Sequence, residues 1–121
     1  MRRRISKEFA FEAAHHLSSL PEGHKCKRPH GHSYRVQVVL ESTELNEHGF
    51  ILDYGEMKPF GDLIAARLDR RGLNEVFEGL PTTAELIAQT LFVWAYDLFS
   101  DLVYSVRVSE TAKTWAEVFR E

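Results

Sequence analysis

The amino-acid sequence predicts an α+β domain over residues 1–121, built as an antiparallel four-stranded sheet with two helices on one of its faces. Two long N-terminal segments alternate apolar and polar residues, two central segments place apolar residues at helical spacing, and the C-terminal segment returns to alternation. The resulting order, β-β-α-α-β-β, suits a sheet whose helices are segregated to one side.

Residues 5–15 carry Phe9, Phe11 and Ala13 at odd positions, a period of two that reads as a strand ending in His15. Residues 17–31 read as a loop, because Pro21, Gly23, Pro29 and Gly31 interrupt regular structure. From His32 onward the even positions are His32, Tyr34, Val36, Val38 and Leu40, with Arg35 and Gln37 between them, which predicts a half-buried second strand. If both faces of these strands are apolar, an exposed face or edge favours association with further copies.

A turn between Asn46 and Gly49 leads into the short apolar run Phe50-Ile51-Leu52. Met57, Phe60, Ile64 and Leu68 then recur at steps of three and four on one face of a helix, with Pro59 tolerated near its start and Gly72 expected to end it. Pro81 marks the next boundary. Thr82-Thr83-Ala84-Glu85 has the spacing of a capping box, and the helix it opens runs through Leu86, Leu91, Trp94 and Leu98. Tyr104, Val106 and Val108 alternate with Ser105, Arg107 and Ser109 in a third strand, and residues 115–120 form a more weakly patterned fourth.

A chain of 121 residues, 44% of them hydrophobic, buries about two thirds of its unfolded surface in a single core, so one domain is expected. Lysine and arginine number 15 against 18 acidic residues, a net charge of −3 that supplies no general basic field; no nucleic-acid partner is expected. The longest uncharged run, residues 86–96, is about half the length a membrane helix needs, so no membrane partner is expected either. The single cysteine forbids an internal disulfide, and Met1-Arg2-Arg3-Arg4-Ile5-Ser6 lacks an apolar segment behind its charges, which points to the cytoplasm.

His30-Gly31-His32 places two imidazoles two residues apart, hence on one side of an extended segment, while His15 ends the neighbouring strand. Pairing of these strands would gather His15, His30 and His32 as three neutral nitrogen ligands, a set that leaves zinc an open position. Ordinary hydrogen-bonded strand histidines are the alternative. Cys26 lies four residues before His30, and two roles compete for it: a fourth ligand closing a structural site, or a free thiol acting as base or nucleophile. Lys25, Lys27 and Arg28 surround the sulfur with positive charge, which favours the thiolate and attracts an anionic substrate.

Phe11-Glu12-Ala13-Ala14-His15, then Pro21-Glu22-Gly23-His24-Lys25-Cys26 and His30-Gly31-His32-Ser33, resemble the 6-pyruvoyltetrahydropterin synthase superfamily, and specifically its 6-carboxytetrahydropterin synthase branch of queuosine biosynthesis. Gly49-Phe50-Ile51-Leu52-Asp53-Tyr54, Leu68-Asp69, Leu73-Asn74, Pro81-Thr82 and Glu110-Thr111 follow in that family's order. The three-residue gap between Cys26 and His30 resembles the carboxytetrahydropterin branch, the pyruvoyl branch having a longer one.

The resemblance implies a tunnelling fold (T-fold) and a zinc-dependent lyase acting on 7,8-dihydroneopterin triphosphate. It also implies homohexamers, as dimers of trimers with sites between subunits. On that footing His15, His30 and His32 hold Zn2+, Cys26 is the general base, and Glu110 with Thr111 anchors the pterin ring. Lys25 and Arg28 would contact the triphosphate. The family's Asp-His proton relay falls on Asp69 and Arg70. Arginine stays protonated near neutrality and cannot shuttle a proton, so weakened or altered activity is expected. A zinc- and pterin-binding paralogue without full activity and a pyruvoyl-type lyase are the alternatives.

Overall fold

Alternation in the first two segments produces two 13-residue strands, β1 (Arg3–His15) and β2 (His30–Ser42), paired antiparallel along their whole length in a computed structural model that describes all 121 residues. The chain continues through helix α1 (Lys58–Arg67), strand β3 (Arg71–Gly72), the one-turn helix α2 (Leu73–Val76), helix α3 (Ala84–Phe99), and strands β4 (Val103–Thr111) and β5 (Thr114–Phe119). The sheet order is β3-β1-β2-β4-β5. No helix is long and apolar enough to cross a membrane.

The α+β layering is as expected, with one strand more than four. Arg71–Gly72 adds a two-residue parallel strand beside Ala13 and Ala14, too short to carry any periodic signal. The second strand also begins at His30, two residues earlier than its alternation suggests.

The core lies between the helices and one sheet face. Phe11, Tyr34, Val36, Val38, Leu40, Val106 and Val108 point inward and are buried, and Met57, Phe60, Ile64 and Leu68 meet them from the predicted face of the first helical segment. Ile87, Leu91 and Ala95 of α3 complete the layer. Close approach of α1 depends on Gly61, where a β-carbon would stand 2.7 Å from the Phe9 ring. Phe9 packs edge-on against Phe60, with centroids 5.6 Å apart.

Two helix signals are displaced. The first helix ends at Arg67, not at Gly72, which has φ −85°; the left-handed residue is Arg70, with φ 60°. The second helix is capped by Thr83, whose hydroxyl accepts from the Leu86 N–H at 3.3 Å, so the capping box does not start at Thr82. The other sheet face is largely polar, so the condition under which an apolar second face would favour association is not met there. On β2 the residues between the core positions are Ser33, Arg35, Gln37 and Glu41, and only Val39 departs from that pattern.

Near the end of β2, the Glu41 carboxylate is buried beneath Arg4 (2.7 Å), Arg2 (3.1 Å) and Arg120 (3.8 Å), and the Arg4 guanidinium also lies 3.8 Å above the Tyr104 ring. Hydrogen bonding to Arg4 is the largest influence and holds the Glu41 carboxyl below its ordinary value of 4.5. A carboxylate depressed in the folded state stabilises the fold above the unfolded pKa, and this contribution disappears as pH falls through the folded value. Glu41→Gln is therefore expected to lower the melting temperature at pH 7, and thermal denaturation followed down to about pH 3 should show the two proteins converging.

Candidate metal centre and active site

Three imidazoles meet because of strand register. His15 is paired directly with His30 across β1 and β2, and His32 stands two residues along on the same face. The ring centroids are 4.6, 5.2 and 4.8 Å apart, and the three candidate ligand atoms lie within 4.8 Å of one another.

The outward nitrogens of two rings are already engaged. His15 Nδ1 faces the Thr82 carbonyl at 2.8 Å and its hydroxyl at 3.1 Å, and His30 Nδ1 faces the Arg28 carbonyl at 2.7 Å. A carbonyl only accepts, so Nδ1 donates the proton in both rings and Nε2 presents a lone pair. The Nε2 atoms of His15 and His32 are buried without a hydrogen-bond partner, an arrangement that is costly until an electrophile occupies the space between them. Burial is the largest influence on His15 and pushes its pKa below the ordinary 6.5; the Thr82 carbonyl and Glu110 oppose this, and His30 and His32 reinforce it. Neutral nitrogens whose rings are oriented by carbonyl acceptors fit a metal ion.

Glu110, near the end of β4, projects to the same place. Its Oε2 lies 3.2 Å from His32 Nε2 and 3.9 Å from His15 Nε2, and it forms no ion pair with Arg35 or Arg107. Tyr34 lies beneath, its ring 5.4 Å from that of His32, with a buried and unpartnered hydroxyl; burial, aided by Glu110, raises the phenol well above its ordinary pKa and keeps it protonated.

The remaining expected residues are placed elsewhere. Cys26 sits half-buried in a single 3-10 turn, Lys25–Lys27, and is not part of the histidine cluster. Its N–H donates to His24 Nδ1 at 3.1 Å, and its carbonyl accepts from the Leu17 N–H at 2.8 Å. Lys27 is paired with Glu22, which reduces the positive charge expected around the sulfur. Lys25 and Arg28 are exposed and form no ion pair. The Thr111 hydroxyl is tied to that of Thr114 at 2.8 Å in the β4–β5 turn. Asp69 Oδ1 accepts the Glu12 N–H at 2.9 Å, and the Arg70 N–H donates to the Glu12 carbonyl at 2.5 Å, so this pair is fastened to the edge of β1.

Two contributors were given no part in the site by the sequence, although both stand in its motifs. Thr82, fully buried just before α3, holds His15 and also donates to the His16 carbonyl at 3.4 Å. Asn74 grips the His16 backbone twice, accepting its N–H and donating to its carbonyl, both at 2.9 Å.

The chain matches, over residues 4–121, the family described as 6-pyruvoyl tetrahydropterin synthase, and it belongs to that family. It is 38% identical over 120 residues to the 6-carboxy-5,6,7,8-tetrahydropterin synthase of Synechocystis sp., covering 95% of this chain and 92% of the relative. It is 39% identical over 144 aligned positions to the Haemophilus influenzae protein of the same name, covering 94% and 96%. The solved structure of Caenorhabditis elegans 6-pyruvoyl tetrahydropterin synthase superposes with a TM-score of 0.87 at 25% identity, covering 100% of this chain and 97% of the other. The protein is thus an enzyme with the T-fold, a lyase of this pterin-synthase family.

His15→Ala removes the most buried of the three candidate ligands and is expected to abolish any tight metal binding. Thr82→Val deletes one of the two oxygens that orient His15 while keeping the carbonyl, and should weaken metal affinity about tenfold in a chelator competition, with the circular dichroism spectrum unchanged.

Proposed function

We propose that the protein is a zinc-dependent carbon–carbon lyase that converts 7,8-dihydroneopterin triphosphate to 6-carboxy-5,6,7,8-tetrahydropterin with release of acetaldehyde and triphosphate, acting in the cytoplasm in queuosine biosynthesis. The observation that carries this reading is the gathering of three imidazoles whose ligand atoms lie within 4.8 Å of one another, two of them with buried, unpartnered Nε2 atoms that face a carboxylate from β4. The names borne by its relatives over nearly the whole chain support the same reaction.

His15, His30 and His32 would hold the zinc, which when bound supplies a Lewis acid that lowers the pKa of the substrate's side-chain hydroxyls. Glu110, an acceptor on a face otherwise lined by rings, suits the N–H and amino hydrogens of a pterin, with Thr111 beside it. Cys26 takes a side-chain proton as general base. Lys25 and Arg28, exposed and unpaired, remain open to anionic groups of the substrate.

Neither Cys26 nor Asp69 joins the histidine cluster within one chain, which supports a site completed by a neighbouring copy in a homohexamer. Sedimentation at micromolar protein should give a hexamer; a 14.0-kDa monomer would contradict it.

Arg70 favours a second reading, a zinc- and pterin-binding paralogue with impaired catalysis, because guanidinium cannot relay a proton. Incubating zinc-loaded protein with the triphosphate substrate and following products by mass spectrometry separates the possibilities. Acetaldehyde with 6-carboxytetrahydropterin supports the lyase, intact bound substrate supports the paralogue, and a pyruvoyl product indicates the pyruvoyl-type lyase. Cys26→Ala and Glu110→Ala should each lower kcat/KM by about 100-fold or more. Arg70→His should raise kcat; no gain would mean that the missing imidazole does not limit the chemistry.

A further inference from the structure

We propose that Asn74 is a positioning residue of the site: its side-chain amide locks the His16 backbone, and through it holds the His15 imidazole and the Cys26 turn in one fixed relation. The proposal deepens the lyase reading above and rests on it for the roles of His15 and Cys26.

Strand pairing runs out just where the candidate ligand stands. His15 and His30 form the last pair of β1 with β2, and on the other edge β3 reaches only Ala13 and Ala14. The His16 backbone has no strand beside it, and Asn74 takes that place. Its Oδ1 accepts the His16 N–H and its Nδ2 donates to the His16 carbonyl, both at 2.9 Å, so one side chain reproduces the donor and acceptor that a neighbouring strand would offer. The amide is not spent on its own helix, because α2 begins without a side-chain cap. An aspartate has the same shape but no donor, and its second oxygen would face the lone pairs of the His16 carbonyl.

Three consecutive residues thereby join three parts of the molecule. The His15 ring is directed at the Thr82 carbonyl, just before α3, at 2.8 Å. His16 is clamped from α2 by Asn74. Leu17 donates its N–H to the Cys26 carbonyl at 2.8 Å. The turn that carries Cys26 is a single 3-10 turn with no buried residue, so it has no core of its own to hold it in place. Rotation of the His16 peptide would displace the imidazole on one side and this turn on the other, and the Asn74 amide resists that rotation at both the N–H and the carbonyl.

Cobalt(II), titrated into the metal-free protein with its visible absorption recorded, reports on the histidines. Alkylation of Cys26, the single cysteine, by iodoacetamide in the metal-free protein reports on the turn. Asn74→Ala and the isosteric Asn74→Asp are each expected to weaken cobalt binding about tenfold, to change the shape of the visible band, and to speed alkylation about tenfold. Glu41→Gln, at the far end of β2, is the control for a general loss of stability: it should lower the melting temperature and leave both readouts as in wild type. Wild-type cobalt affinity and alkylation rate in both Asn74 variants, or the same changes in Glu41→Gln, would overturn the proposal. Wild-type protein that binds no cobalt would remove the zinc reading, and alkylation then decides the clamp by itself: faster in both Asn74 variants upholds it, unchanged overturns it.

Discussion

The register of β1 against β2 is the constraint from which the site follows. Side chains alternate across a sheet, so a slip of one residue would turn His15 to the polar face and separate it from His30 and His32. Core packing forbids that slip. Phe11 stacks on Tyr34 with centroids 4.7 Å apart and nearly parallel planes, and Phe9 stands opposite Val36. Hydrophobic burial along the middle of the two strands therefore fixes the position of polar groups at their end, the rigid scaffold that a metal-ligating constellation needs.

The same region departs from the rules observed elsewhere in the chain. Of the four buried side-chain atoms without partners, three, namely His15 Nε2, His32 Nε2 and the Tyr34 hydroxyl, lie together beside Glu110. Such atoms lower the stability of an empty fold and raise its affinity for whatever completes them. Concentrating them in one place, while the remaining core is apolar and well packed, is the pattern expected where stability has yielded to ligand binding.

Much of this was legible in the residue pattern, for a reason that can be stated element by element. Period-two alternation marks both long strands, and the spacing of Met57, Phe60, Ile64 and Leu68 marks the buried face of the first helical segment, because burial on one side imposes its period directly. The three histidines were legible too, since alternation and strand pairing alone bring them together. Features that depend on contacts distant in sequence were not. Thr82 resembles a helix cap locally and is instead a partner of a residue 67 positions earlier. Asp69 and Arg70 suggest a catalytic pair but their backbone contacts go to Glu12, and Gly72 suggests a helix end but lies in a strand of two residues. No local pattern encodes such pairings.

The link between Thr82 and His15 has a thermodynamic consequence. Thr82 immediately precedes the Thr83 cap of α3, so the residue that orients the metal ligand also fixes where the longest helix meets the sheet. A metal held at His15 would therefore share one free-energy balance with the docking of that helix, in which each makes the other more favourable. Were the three histidines to hold a metal, a chelator would act as a selective denaturant, loosening the start of α3 before the central strands yield.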